Sequence, residues 1–575
     1  MSNLILCTVY CTILRMDSIE NTPPKKPFWK RRPILTTLLV TLGIPLCTIT
    51  LLFLWIKTVH RIPKPPLVIS EETTRITGPL TADGYIDFLK ALEEYVYPPE
   101  FATDENGYRD FVRQFGYVGD IGKPEDREFY RLQTYEKLGL DPNVPPTLTL
   151  PQPPREIVED FVYGQLWSLE QYPMLADWIN EIDEPLDAIA QALRKPVFVA
   201  PLLECPESAQ SGVPQNLGYL LTGDNFFQTY RLFSARAAYR IVMDDIDGAI
   251  DDKISLHRLG RFTAQKGPNY LLGVVAIDGR IAMDIPIGAS PESPLTGKQI
   301  RRLLESLRSL PPRAPQGDSY EWMRYWMLSF VQDMAIAVGT DRQILAEFTK
   351  MPRWLLAPKY DWNYVYRRVN KMYDAAQEPP PRENLRHIQE SLDNTEMWHM
   401  LAWWLTNYAF EKTITHALLA LSIPSVDFSA RIESADCAMN MQHLVLAVLL
   451  YRLEHGTMPD EHWATQIKQY LGDNPEQYFS CPSNPSPEGE TTYALIQYGG
   501  DVPSDPDTIL LIELPMPVPL DKAVITVEGV LNLRWDMGVH SNGITAARQS
   551  GAVRILFETT DAKEVRHLLG LAVGE

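Results

Sequence analysis

Apolar residues recur at helical spacing from about residue 81 to residue 423, and beyond residue 426 the pattern shifts to one long helix followed by short strand-like runs. The first helical pattern, LTADGYIDFLKALEEYV, offers Thr81 or Asp83 as a cap and sets Ile86, Leu89, Ala91 and Leu92 on one face. Residues 230–262 predict a helical hairpin. Leu232, Ala235, Tyr239 and Val242 share a face, DDIDG turns the chain, and Ile250, Ile254 and Leu259 resume the period. Proline-rich breaks at 144–154 and 310–317 separate such patterns. In DFSARIESADCAMNMQHLVLAVLLYRLEHGTMPD, Leu444, Ala447, Val448 and Tyr451 form a stripe that Gly456 and Pro459 end. TTYALIQY, DTILLIEL, KAVITVEGVL and GAVRILFE then read as strands of an antiparallel sheet. The expected fold is mainly α-helical over 81–425 and α+β over 426–575, a long helix on an antiparallel sheet.

One stretch breaks the amphipathic pattern. Ile34 to Ile56 is 23 residues without a charge, and a helix of about 20 apolar residues crosses a bilayer core of about 30 Å. It predicts a single-pass membrane protein with the lipid bilayer as a partner, kinked near Gly43 and Pro45 and flanked by the interfacial Trp29 and Trp55. Lys25, Lys26, Lys30, Arg31 and Arg32 precede the run, and Lys57, Arg61 and Lys64 follow it. That bias places a basic arm (1–33) in the cytoplasm and the body outside it, anchored in the inner membrane. Pro63, Pro65 and Pro66 make 57–80 a stiff spacer. Met16 is the expected start, because MDSIENTPPKKPFWKRR reads as an ordinary polar leader.

Charge divides the chain in the same place. Residues 1–64 hold nine Lys or Arg and two Asp or Glu, which leaves 44 basic and 71 acidic residues, a net charge of −27, for 65–575. A body that acidic is unsuited to nucleic acid. Cys7, Cys11 and Cys47 lie before or within the apolar run; of Cys205, Cys437 and Cys481, a pair at 437 and 481 and free buried thiols are both compatible with the sequence. No C-x-x-C pair points to zinc, and no cofactor is expected.

The carboxy-terminal part resembles a known family. The pattern Tyr451, Gly456, Pro459 at the end of the long helix resembles the stem of pseudopilin-like domains, and FSCPSNP, with Cys481 and Pro482, resembles the later part of a bacterial pseudopilin-like domain family of unknown function. That family is marked by His, nine residues, then Asp-Gly; here His540 is followed by nine residues and then Ser550-Gly551. The resemblance implies an α+β head. The hairpin at 230–262 is similar to a single helix-turn-helix unit of the tetratricopeptide kind, without a repeat at fixed period.

Candidate chemistry is thin. His540 with Asp536 and Ser541 lacks a nucleophile elbow, and an adjacent Ser and His do not present a serine usefully to the imidazole. His455, Glu461 and His462 straddle a helix stop, so they miss the H-E-x-x-H geometry. Asp244, Asp245, Asp247, Asp251 and Asp252 miss the EF-hand spacing and read as a capped turn with a solvated face. The tryptophans between Trp322 and Trp404 read as core rather than sugar platforms. The expected function is a non-enzymatic envelope protein that binds other envelope proteins through its helical body and pseudopilin-like head. The alternative is an extracytoplasmic hydrolase with an unrecognised active site.

Overall fold

The computed structural model describes residues 66–117, 124–150, 173–203, 223–265, 295–340, 361–377, 426–498, 508–531, 543–548, 553–557 and 562–569, with a few single positions elsewhere. The expectation of a single-pass membrane protein is corrected here. Among the described residues no helix is long and apolar enough to cross a membrane. Of Ile34 to Ile56 only Gly43, Leu46, Cys47, Thr50 and Leu51 are described, all helical, and the rest lies outside the described residues. A span needs about 20 consecutive helical residues; hydropathy counts apolar composition and carries no information on helical continuity.

The chain splits into two compact units, one of Met1–Pro65 with Ala357–Lys359 and one of Pro66–Leu356 with Tyr360–Glu575. Nearly all described residues belong to the second. Its helices are α1 (Phe88–Val96), α2 (Gly107–Phe115), α3 (Pro124–Lys137), α4 (Met174–Leu193), α5 (Gly223–Val242), α6 (Ile246–Thr263), α7 (Gly297–Arg308), α8 (Gln316–Thr340), α9 (Trp362–Gln377) and α10 (Val426–His455). Short helices α11 (Trp463–Ile467), α12 (Val527–Leu531) and α13 (Ala562–Leu568) accompany the sheet.

Local chemistry explains where these helices begin and meet. The first helix starts later than Thr81 or Asp83 would set it. A turn through Gly84, at φ 80°, bridges Leu80 to Ile86, and Asp87 then caps α1 by accepting from the Lys90 N–H. Asn106 caps α2 and is fully buried, its amide donating to Phe101 O and Val199 O. Gly107 follows because a Cβ there would stand 2.0 Å from Ala192 O at the end of α4. The α5–α6 hairpin turns at Asp244, at φ 61°, and Asp245 caps α6 by accepting from the Gly248 N–H at 3.0 Å.

Residues 66–80 of the expected spacer lie along α8 and α9, held by side-chain amides. Asn363 accepts from Val68 N–H and donates to Pro66 O, both at 2.8 Å. Asn370 donates to Glu72 O and Thr73 O at 3.1 and 2.7 Å, and Gln332 exchanges two bonds with the Ile86 backbone. These buried amides take up backbone groups that a free extended spacer leaves to water. Replacing Asn370 with leucine strands two carbonyls, a loss of about 1–3 kcal/mol. Tryptic cleavage after the exposed Arg75 is then expected to accelerate about tenfold; an unchanged rate would show that Asn370 does not hold the strap.

The sheet has the order β3-β1-β2-β4-β5, from β1 (Glu490–Gln497), β2 (Ile509–Pro519), β3 (Val524–Thr526), β4 (Gly543–Arg548) and β5 (Val553–Phe557). It is not wholly antiparallel, since β3 pairs parallel to β1 through Leu495 and Val524. After the long β2 the chain crosses to the far side of β1, and the run expected as one strand, KAVITVEGVL, divides into β3 and α12. Both faces are covered. Tyr493, Leu495, Leu510, Leu511 and Ala547 join the core under α10, whereas Ala494, Ile496, Ile509, Ile512 and Ala546 pack with α12 and α13. A register shift between Ile509 and Leu511 lets β2 send two successive residues to the α10 side.

One continuous core runs from Tyr97 in the helical body to Val553 in the sheet. The long helix α10 lies at its centre, packing on α7 and on β2, β4 and β5. Its C-terminus has the expected stop, with Gly456 at φ 72° donating its N–H to Arg452 O.

Candidate functional site

Four side chains from four segments meet where α10 crosses the sheet. Cys437 on α10 is joined by a disulfide to Cys481 in the FSCPSN loop, with 5.1 Å between their Cα atoms. Tyr493 on β1 and Glu513 on β2 are paired neighbours in the ladder and therefore share a face. The Tyr493 hydroxyl lies 2.9 Å from Cys437 Sγ, and Glu513 Oε1 lies 3.4 Å from the same sulfur. With the sulfurs joined, the hydroxyl is the donor. Glu513 Oε2 accepts the Thr545 N–H of β4 at 3.2 Å. No member of the set is more than 1% exposed. Burial, and then the Glu513 charge, raises the Tyr493 phenol well above its usual range.

The loop is held on both sides of Cys481. Cys481 N–H donates to Thr492 Oγ1 at 2.9 Å, and Thr491 Oγ1 donates to Phe479 O at 2.7 Å. From α10, Asn440 Nδ2 donates to Ser480 O, and Glu433 accepts from Ser483 Oγ at 2.7 Å. His443 continues the same side of the helix. Its ring stacks on Tyr478 with centroids 4.5 Å apart, and Nδ1 lies 2.8 Å from Met439 O.

Burial pushes the His443 imidazole down to about 4, reinforced by the positive groups of His257, Arg261 and Arg308 and opposed by the bond to Met439. An unfolded histidine titrates near 6.5. At this group the unfolded chain therefore binds more protons between those values, and the group's contribution to stability, full above pH 6.5, is lost as pH falls towards 4. His443→Gln is expected to flatten this slope by about 2–3 kcal/mol between pH 7 and pH 4. Urea denaturation at the two pH values checks it; an equal slope in both proteins would remove His443 as its source.

A second cluster pins the α5–α6 hairpin to α4. Arg236 on α5 is 1% exposed and pairs with Asp252 on α6 at 2.6 Å, Asp183 at 2.8 Å and Asp187 at 2.9 Å. Arg240 adds a contact to Asp252 at 3.0 Å. Burial raises Asp252 to about 6 against the pull of Arg236 and Arg240. Burial works the other way on Arg236, but Asp252, Asp187 and Asp183 outweigh it and raise the guanidinium. The acidic run is thus divided by role. Asp245 caps a helix, Asp247 and Asp251 pair with Arg302, and Asp252 is buried rather than solvated.

Among the described residues, those marked by the family pattern do not converge. Tyr451 stacks on His455 at 4.1 Å, Gly456 and the buried Pro459 shape the helix end, Cys481 enters the sulfur cluster, and Pro482 is exposed beside it. Glu461 and His462 are exposed. His540, Gly551, Asp536, Ser541 and Cys205 lie outside the described residues. Tyr493 and Glu513 were not singled out in the sequence, although Glu513 is the one acid inside the apolar run ILLIEL.

No protein family matches the chain, and neither does any curated protein or solved structure.

Proposed function

We propose that this chain is a protein-interaction scaffold of an oxidising, extracytoplasmic compartment, with a pseudopilin-like head and a helical body that bind partner proteins of the envelope. The observation that carries this reading is the tip of the α5–α6 hairpin. Val242 and Met243 are 40% and 50% exposed there, beside the exposed Asp244 and Asp245, on a turn that buried ion pairs hold rigid. Apolar side chains rimmed by carboxylates suit a protein surface with an apolar socket and a basic edge. The Cys437–Cys481 disulfide supports the compartment, because cytosolic reductants keep most thiols reduced.

A photo-crosslinking residue at Met243, in intact cells, tests the reading. A reproducible protein adduct that disappears with Val242→Glu is expected, with Cys437 and Cys481 of the denatured protein alkylated only after reduction. Absence of an adduct would overturn the partner site. Alkylation of both cysteines without reductant would overturn the compartment.

A further inference from the structure

Cys437 Sγ, Cys481 Sγ and a Glu513 carboxylate oxygen all lie within 4.8 Å of one another, on three buried side chains. A disulfide uses the two sulfurs and needs no carboxylate. Glu513 sits beside them in the middle of the sheet, 1% exposed. Its Oε2 accepts the Thr545 N–H, and its Oε1 lies 3.4 Å from Cys437 Sγ. Orientation of a carboxylate by a hydrogen bond to its second oxygen is what metal ligands receive from their surroundings.

Two thiolates and a carboxylate make a donor set suited to zinc, with metal–sulfur distances of about 2.3 Å and metal–oxygen distances of about 2.0–2.2 Å. On a shared tetrahedral ion two sulfurs stand about 3.8 Å apart. A Cα separation of 5.1 Å accommodates that after side-chain rotation. We propose that, once the disulfide is reduced, Cys437, Cys481 and Glu513 bind one zinc-class divalent cation, with the Tyr493 hydroxyl beside the fourth position. Reduction by a dithiol delivers two electrons and two protons to the sulfurs and leaves the reductant as its own disulfide. Metal capture then releases both thiol protons as the two thiolates ligate. The disulfide and the metal exclude each other, and either one ties α10 to the Cys481 loop, so the head keeps a cross-link under oxidising and reducing conditions alike.

The test is a titration of the full chain, reduced with a dithiol without oxygen, freed of reductant, and given Co2+ and then Zn2+. One Co2+ per chain is expected, with thiolate-to-metal charge-transfer absorption and the strong d–d bands of a tetrahedral site, bleached by one equivalent of Zn2+. Glu513→Gln is expected to weaken Co2+ binding at least about tenfold while leaving the disulfide of the oxidised protein intact. Two results would overturn the proposal: no charge-transfer band from the reduced wild-type chain at stoichiometric Co2+, or equal Co2+ affinity in wild type and Glu513→Gln.

Discussion

Replacing Leu446 with aspartate is expected to unfold the helical body and the head together. Leu446 is 1% exposed on α10, inside the core that runs from Tyr97 to Val553. A carboxylate there loses its hydration, and the leucine contacts are lost as well, so the destabilisation exceeds about 4 kcal/mol. The informative readout is the extent of the loss. Because α10 packs on α7 as well as on β2, β4 and β5, the variant should expose cleavage sites in residues 88–308 as fully as those in residues 463–557. A protein whose head melted while its body kept native protease resistance would show that the shared core is not a single cooperative unit. Leu446→Met, similar in volume, is expected to lose less than about 1.5 kcal/mol and serves as the control.

Replacing Arg236 with methionine is expected to lower the unfolding free energy by about 3 kcal/mol at pH 8, and by less at pH 5. The guanidinium is buried with Asp252, and deleting one partner leaves the other charge desolvated with only Arg240 to face it. The pH dependence follows from the raised carboxyl. Asp252 titrates near 6 in the fold and an unfolded aspartate near 3.9. The folded state therefore binds more protons at this carboxyl between those values, so its contribution to stability is greatest below about pH 4 and declines as pH rises through 6. Losing Arg236 moves the folded value higher still, which makes acid partly rescue the variant. The double variant Arg236→Met with Asp252→Leu removes both charges and should regain most of the loss, since an apolar pair can replace a buried ion pair at little cost. A double variant no more stable than Arg236→Met alone would mean that packing around the guanidinium stem outweighs the charge. The hairpin tip with Val242 and Met243 rests on this cluster, so the same variant is expected to lower crosslinking from Met243.

What the sequence by itself determined was local. The DDIDG turn, the stop of α10 at Gly456 and three of the strands are written in residue types whose backbone preferences act over a few positions: positive φ at Asp244 and Gly456, and apolar runs bounded by turn residues at β1, β2 and β5. The fourth strand segment, GITAAR, carries small residues and little pattern, and only its ladder partners on β2 and β5 make it β4. The apolar run at 34–56 shows the opposite error, for composition satisfied a rule about membrane spans that the described helical positions do not meet.

What the tertiary structure decided was every relation between distant segments. Cys437 and Glu513 are 76 positions apart and lie on different kinds of element, so no spacing rule links them; the packing of α10 on the sheet does. Asp252 looks like a surface acid in a run of acids until the packing of α5 on α6 buries it against Arg236. The strap at 66–80 reads as a proline spacer until Asn363 and Asn370, almost 300 residues later, accept and donate for its backbone. Periodicity decides which face of an element is apolar, through side-chain direction and burial. Which two faces meet is set by the register of the whole core, and it is there that the sulfur–carboxylate cluster is made.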